Sequence, residues 1–315
     1  MKPVVVTGDL ICDEWVEGRV DRISPEGPVP VLLEDRPRRT SAGGAGFVAR
    51  CVGALGGRPL VVGVVGGDVC GAELVNEIGD FVAVDYKRVT PTKTRFTSGG
   101  HPVLRVDREQ TDWLSEADEI WAVDVLRNVI PGAAAVVVSD YAKGTITPLV
   151  AQTVAREAAL AGVPVVVDTK PSRFRLYKRA TVMKPNDREM REICPGLPGG
   201  VDGLITGAQF LVSEGVAGSV VVTMGEDGAL VYPSGGQPFV TASPRVPVSD
   251  VTGAGDVFAA ALGVCLGAGR PLSEAARYAC AASAESVRYH GTHAPSRTQT
   301  WALGTLSPEV VDKLA

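Results

Sequence analysis

The sequence predicts an α/β fold: a parallel sheet flanked by helices on both faces, with a small β subdomain inserted as a lid. Three observations predict it. From residue 136 onward, short apolar runs alternate with segments of helical length, the pattern of strands joined by crossover helices. Two earlier stretches, about 14–34 and 82–106, break that alternation with polar, strand-like residues. The composition, 45% hydrophobic and 21% charged over 315 residues, supplies the core of one large domain. No internal repeat, low-complexity tract or long linker divides the chain, so residues 1–315 read as a single domain.

The elements follow in order. Val4-Val5-Val6 is a buried-strand signal ended by Thr7-Gly8, with Asp9 and Asp13 beyond it in a loop. The prolines of Arg22-Ile23-Ser24-Pro25-Glu26-Gly27-Pro28-Val29-Pro30-Val31 keep that stretch extended and out of a central strand. Val29, Val31 and Leu33 alternate like an edge or lid strand. Ser41-Ala42-Gly43-Gly44-Ala45-Gly46 reads as a glycine turn opening a helix over 47–55. A strand at 60–65 and a helix over 71–78 come next, then the polar 82–106 stretch. Strands at 136–138, 163–167, 181–183 and 220–224 alternate with helices over 148–161, from 184–189 onward, and over 203–213. A hairpin at 228–232 leads to two closing helices, about 255–266 and 273–287. In such a sheet, ligands bind at the carboxyl ends of the strands, where the polar clusters fall.

Charge and cysteine usage exclude several classes. A net charge of −5 offers nothing to a nucleic acid or an anionic membrane, and the longest apolar runs are too short to span a bilayer. The start of the chain lacks the apolar stretch of a signal peptide. Six cysteines without a C-x-x-C pair read as reduced thiols in the cytoplasm. Three histidines are too few for a metal cluster.

The chemistry centres on Asp250-Val251-Thr252-Gly253-Ala254-Gly255-Asp256, set before the apolar run 257–262. Backbone N–H groups at a helix start lack internal partners, and the helix dipole adds positive charge there. Glycines let a phosphate approach such a site closely. Asp256 has two readings on spacing alone: a helix cap, or a base that takes a proton from an attacking hydroxyl. No G-x-x-x-x-G-K-[ST] loop occurs, and no strand is followed by G-x-G-x-x-G, which disfavours a dehydrogenase.

The turn resembles the C-terminal signature of the PfkB/ribokinase family of sugar kinases, and Asn186-x-x-Glu189 accompanies it in the right order. The resemblance covers nearly the whole chain and implies a ribokinase-like fold. Gly8-Asp9-x-x-x-Asp13, the segment 22–31, Ser139-Asp140-Tyr141-Ala142-Lys143-Gly144 and Gly291-Thr292 are similar to the branch acting on D-glycero-β-D-manno-heptose 7-phosphate, in the ADP-heptose pathway. The resemblance implies ATP, Mg²⁺ and K⁺ as cofactors. Asp256 is then the base, with Gly253, Ala254 and Gly255 as an anion hole for the transferring group. Asn186 and Glu189 hold Mg²⁺ through water, and Gly225 joins Gly253 and Gly255 on the nucleotide side. Asn-x-x-Glu equally fits a capping box. Asp250 and Thr252 serve a monovalent cation. Asp13, Gly43 and Gly44 face the sugar, and Lys93, Arg95, Arg105, Lys143 and Lys170 are candidates for its phosphate.

The chain also departs from the branch. Phe47 stands where an Asn of the sugar site is usual, Cys280 where an Asn is common in the nucleotide-side helix, and Glu285 in a stretch usually small and apolar. The reading is therefore a kinase of a heptose 7-phosphate, acting at its 1-hydroxyl. The alternatives are a kinase of another sugar, sugar phosphate or nucleoside, or a non-catalytic sugar-phosphate binding protein. Branch members are often fused to a nucleotidyltransferase. The sequence ends at Ala315, so that step is expected from a separate partner protein. A homodimer through the lid is expected by family analogy.

Overall fold

The computed structural model describes residues 1–79 and 81–303. The strands of the main sheet are β1 (Val4–Gly8), β5 (Pro59–Gly66), β6 (Phe81–Asp85), β9 (Ala135–Asp140), β10 (Val165–Thr169), β11 (Ala180–Met183), β12 (Ala217–Thr223), β13 (Ala229–Tyr232) and β14 (Phe239–Thr241). Their order across the sheet is β14-β13-β12-β11-β10-β9-β1-β5-β6. All neighbours from β12 to β6 are parallel, and β13 and β14 add an antiparallel edge. The helices are α1 (Ala45–Ala54), α2 (Val69–Ile78), α3 (Glu116–Val129), α4 (Pro148–Ala161), α5 (Asp187–Ile193), α6 (Gly200–Ser213), α7 (Ala254–Gly267), α8 (Leu272–Ser286) and α9 (Arg297–Ala302).

The period-2 side-chain alternation of each strand feeds two separate cores. Ala135 and Val137 of β9 pack with Val6, Val166 and the apolar residues of α1, α7 and α8. Val136 and Val138 face the opposite way and pack with Val5, Val167 and residues of α3, α4 and α6. Helix α7 is buried along its whole run from Asp256 to Cys265, so it is apolar all round rather than amphipathic. From β1 the chain builds outward to β5 and β6, then returns to β9 on the other side of β1. That reversal puts the carboxyl ends of β1 and β9 beside each other, the usual ligand position in such sheets.

The lid is a second, five-stranded sheet, with order β3-β2-β7-β8 and β4 paired to β2. Its strands are β2 (Leu10–Ile23), β3 (Pro30–Glu34), β4 (Arg39–Gly44), β7 (Thr92–Ser98) and β8 (His101–Arg108). Both lid boundaries need correction. The first segment begins at Leu10 rather than 14, and Asp9 and Asp13 are buried rather than in a solvated loop. The second begins at Thr92, because 81–85 is the parallel edge strand beside β5. A strand returning from α2 by a right-handed crossover lands there. The glycine turn at 41–46 is likewise corrected: Ser41–Gly44 completes β4, and α1 starts at Ala45. Helix α3, with its Ser115 cap and acidic first turn, falls in a stretch the sequence reading leaves unassigned.

Candidate active site

Helix α7 begins on Gly253, whose φ of 80° lies in the left-handed region that favours glycine. Asp256 sits in the first turn, 6% exposed, and its side chain makes no capping bond. Both its carboxylate oxygens instead accept from the Tyr141 hydroxyl, at 2.8 and 3.0 Å. Burial, and then the charge of Asp168, push the Asp256 carboxyl up to about 7, against the opposing hydrogen bond from Tyr141 and the charge of Lys184. The Asp256 side chain thus bonds Tyr141 rather than a backbone N–H of its own helix start, and burial raises its carboxyl toward neutral pH.

The turn separates two cavities. On one side, about 230 Å³ is lined by Gly225, Val246, Val251, Gly255, Phe258 and Cys280, among others. On the other, between lid and main sheet, about 910 Å³ is lined by Arg50, Arg95, Arg105, Asp250, Thr252 and His290, among others. One cavity is largely apolar and the other strongly basic. Gly225 and Cys280 thus lie on the side opposite the lid.

The basic candidates differ in how far they are already engaged. Arg95 pairs with Asp13 at 2.6 Å and lies over the Trp15 ring. Lys143 pairs with Glu109 at 2.6 Å, Lys170 with Glu189 at 3.0 Å, and Arg105 with Asp107 at 2.8 Å. Among the described residues Lys93 makes no ion pair. Its ammonium lies 5.1 Å from the centre of the Tyr141 ring, and burial pushes it below the ordinary lysine range. Lys170 lies at the same distance from that ring.

Asn186 and Glu189 form the capping box: Asn186 Oδ1 accepts from the Glu189 N–H at 2.8 Å, and Glu189 Oε2 accepts from the Asn186 N–H at 3.1 Å. Asp250 accepts from the Thr252 N–H and hydroxyl and from the Gly291 N–H. Against the opposing effect of burial, those bonds hold its carboxyl below the ordinary range. Among the described residues no group of three or more His, Cys, Asp or Glu is placed to hold a metal ion.

Three expected sugar-side residues are packed against the protein itself. Phe47 is fully buried, and its ring packs under Gly253. Gly43 and Gly44 make room for the protein's own atoms: a Cβ on Gly43 would overlap the Asp13 carboxylate, and one on Gly44 the Asp9 carbonyl.

Two groups carry no role in the sequence reading. Asp9 is 1% exposed, and its carboxylate accepts from the backbone N–H groups of Tyr141, Lys143 and Thr145. It thereby fixes the loop that carries Tyr141. Lys184, 3% exposed in its side chain, pairs with Asp168 at 3.0 Å. A Cβ on Gly255 would lie 3.5 Å from Lys184 Nζ, so this ammonium stands beside the glycine turn. The signal was available: Lys184 follows a core strand, as Lys170 does.

A glycine turn at a helix start, a buried acid beside it and cavities on both sides define a phosphotransferase on a ribokinase-like fold. The chain belongs to the pfkB family of carbohydrate kinases, whose profile matches residues 1–299. It is 39% identical to the bifunctional protein HldE of Caulobacter sp. (strain K31), over 99% of this chain and 65% of that one. It is 36% identical to the HldE protein of Azorhizobium caulinodans, over 95% of this chain and 64% of that one. The chain thus spans less than two thirds of the length of these relatives. Among solved structures, ribokinase of Arabidopsis thaliana complexed with ribose and ATP superposes with a TM-score of 0.77 at 22% identity, covering 97% of this chain and 99% of that one. Phosphofructokinase-2 of Escherichia coli in complex with substrates and products gives 0.78 at 22%, covering 96% and 98%. These two share the fold. No helix among the described residues is long and apolar enough to cross a membrane.

Proposed function

We propose that this kinase transfers the γ-phosphate of ATP to the anomeric 1-hydroxyl of a heptose 7-phosphate. The observation that carries the mechanism is Asp256, buried in the first turn of α7 between the two cavities. Its carboxylate takes the proton of the sugar hydroxyl. The freed oxygen forms a bond to the γ-phosphorus as the bond to the bridging oxygen breaks, and ADP leaves. The N–H groups of Gly253 and Gly255 and the Lys184 ammonium face the charge that develops, a contribution of about 3–4 kcal/mol per well-placed donor, while the Ala254 N–H is held by the Val251 carbonyl at 3.2 Å.

The apolar cavity suits a purine, and the basic cavity an acceptor that carries its own phosphate. Similarity to HldE proteins supports the choice of a heptose 7-phosphate as that acceptor. Asn186 and Glu189 are occupied by their mutual cap and by Lys170, a donor set that fits Mg²⁺ reached through water rather than bound directly. When bound with ATP, Mg²⁺ would neutralise phosphate charge. Asp250, kept ionised with Thr252 at the cavity wall, suits a monovalent cation such as K⁺. The exposed apolar residues Val103, Leu104 and Val106 on β8 suit a homodimer through the lid. A sugar 1-phosphate product is the substrate class of a nucleotidyltransferase, the expected next activity.

The test is ADP release with Mg-ATP and a panel of heptose 7-phosphates, fructose 6-phosphate, fructose 1-phosphate, ribose and adenosine. Turnover confined to a heptose 7-phosphate is the expected result. Turnover confined to another acceptor overturns the substrate assignment and leaves the mechanism standing.

A further inference from the structure

Tyr141 touches Asp256, Lys93 and Lys170, yet nothing above gives it a task. Its hydroxyl lies 2.8 and 3.0 Å from the two oxygens of Asp256. Among the described residues, no other side chain donates a hydrogen bond to that carboxylate. A reacting hydroxyl must come within about 2.6–3.2 Å of the base that takes its proton. That position is already held by a hydroxyl, and it belongs to the protein.

We propose that Tyr141 is a positioning residue that occupies the acceptor's place on Asp256 until a sugar arrives, and so holds back transfer of the γ-phosphate to water. The proposal rests on the kinase reading above. The reaction it suppresses is ATP hydrolysis. There a water gives its proton to Asp256, its oxygen bonds the γ-phosphorus, and the bond to ADP breaks, leaving inorganic phosphate.

Two features make the tyrosine a place-holder rather than a fixture. Its main chain is anchored: the Tyr141 N–H donates to Asp9 at 2.8 Å and the Ala142 N–H to Asp140 at 2.9 Å, so movement is left to the side chain. Its ring is held by the ammonium groups of Lys93 and Lys170, each 5.1 Å from the ring centre. Lys93 has no ion-pair partner among the described residues. It comes from lid strand β7, whose Arg95 lines the basic cavity. An anionic acceptor entering that cavity competes with the ring for Lys93 and loosens it. Release of the base is thereby linked to the arrival of a phosphorylated acceptor, whereas water carries no charge with which to compete.

The experiment compares the wild-type enzyme with Tyr141→Phe, and with Tyr141→Leu as a second variant, by ADP and phosphate release in Mg-ATP alone. Both variants are expected to hydrolyse ATP about 10-fold faster than wild type, the equivalent of one hydrogen bond to a charged group. The acid limb of the pH profile should also move upward in Tyr141→Phe. Asp256 then loses the bond that favours its charged form, and Asp168, Lys184 and Asp13 still face it. A hydrolysis rate equal to or below wild type in folded variants overturns the proposal, because a merely orienting tyrosine would lower both reactions together. The hydrolysis rate is read without any sugar. Failure of the acceptor panel would therefore sink the heptose assignment and leave this comparison readable.

Discussion

The Phe47 ring lies directly under Gly253: a Cβ on that glycine would stand 2.5 Å from Phe47 Cε1. Phe47 is therefore the floor beneath the glycine turn that opens α7, with Arg50 stacked 4.9 Å from its ring centre. Gly253→Ala meets two obstacles, this overlap and a φ of 80°. Displacing the turn by even ~1 Å is expected to lower kcat about 100-fold. Adding Phe47→Leu should recover part of the loss by relieving the overlap. No recovery in steady-state kinetics would place the whole defect in the backbone conformation.

Asp256→Asn should lower kcat by about 10²–10⁴-fold while ATP binding, followed by calorimetry, survives. A base works only when ionised, so kcat/KM, which reports the free enzyme, should climb through a pH near 7 and level off above it.

The same raised carboxyl has a consequence for stability. The folded protein holds the Asp256 proton more tightly than the unfolded chain, so stability is fully present below the ordinary carboxylate range and is lost as pH rises through about 7. Asp256→Asn should raise Tm at pH 8 by about 2–5 °C, and by less at pH 5. An equal change at both pH values in thermal melts would contradict the shift.

Removing Lys184 leaves Asp168 buried without its partner. Lys184→Met should destabilise by about 3–5 kcal/mol in urea unfolding, and the double change with Asp168→Asn should restore most of that. Turnover should stay low in the double variant, because the ammonium beside Gly255 is still missing. Restored turnover would show that Lys184 serves only to neutralise Asp168.

The capping box and the proposed Mg²⁺ role separate by measurement. Asn186→Ala should cost about 1 kcal/mol as a lost cap. Glu189→Gln should raise the Mg²⁺ concentration needed for half-maximal rate about 10-fold, as for a lost outer contact, with the acceptor KM unchanged. An unaltered Mg²⁺ dependence would leave Glu189 as a cap and a partner of Lys170 alone.

Much of this was legible in the residues. The apolar runs at 136–138 and 220–224 are strands of the main sheet, and the helix at 148–161 has the bounds expected. Local pattern is sufficient there, because burial on both faces demands an unbroken apolar run. The segment 81–85 was misplaced into the lid because its sequence looks like its neighbours'. Only pairing with β5 distinguishes it. The packing of Phe47 under Gly253 was hidden for a similar reason. Its number in the chain says that it follows a glycine pair, not that its ring points down onto a helix start more than two hundred residues later.

The sequence by itself determined the alternation of strands and helices, the glycine turn that opens α7 and the acid three positions after Gly253, since these follow from local periodicity and backbone freedom. It left Asp256 divided between cap and base, and Asn186-x-x-Glu189 between cap and metal holder. Tertiary structure decided what surrounds Asp256: a buried setting with Asp168, Lys184 and Tyr141, brought from β10, the end of β11 and the end of β9. Charge and desolvation depend on distance in space, and separation along the chain carries no information about either.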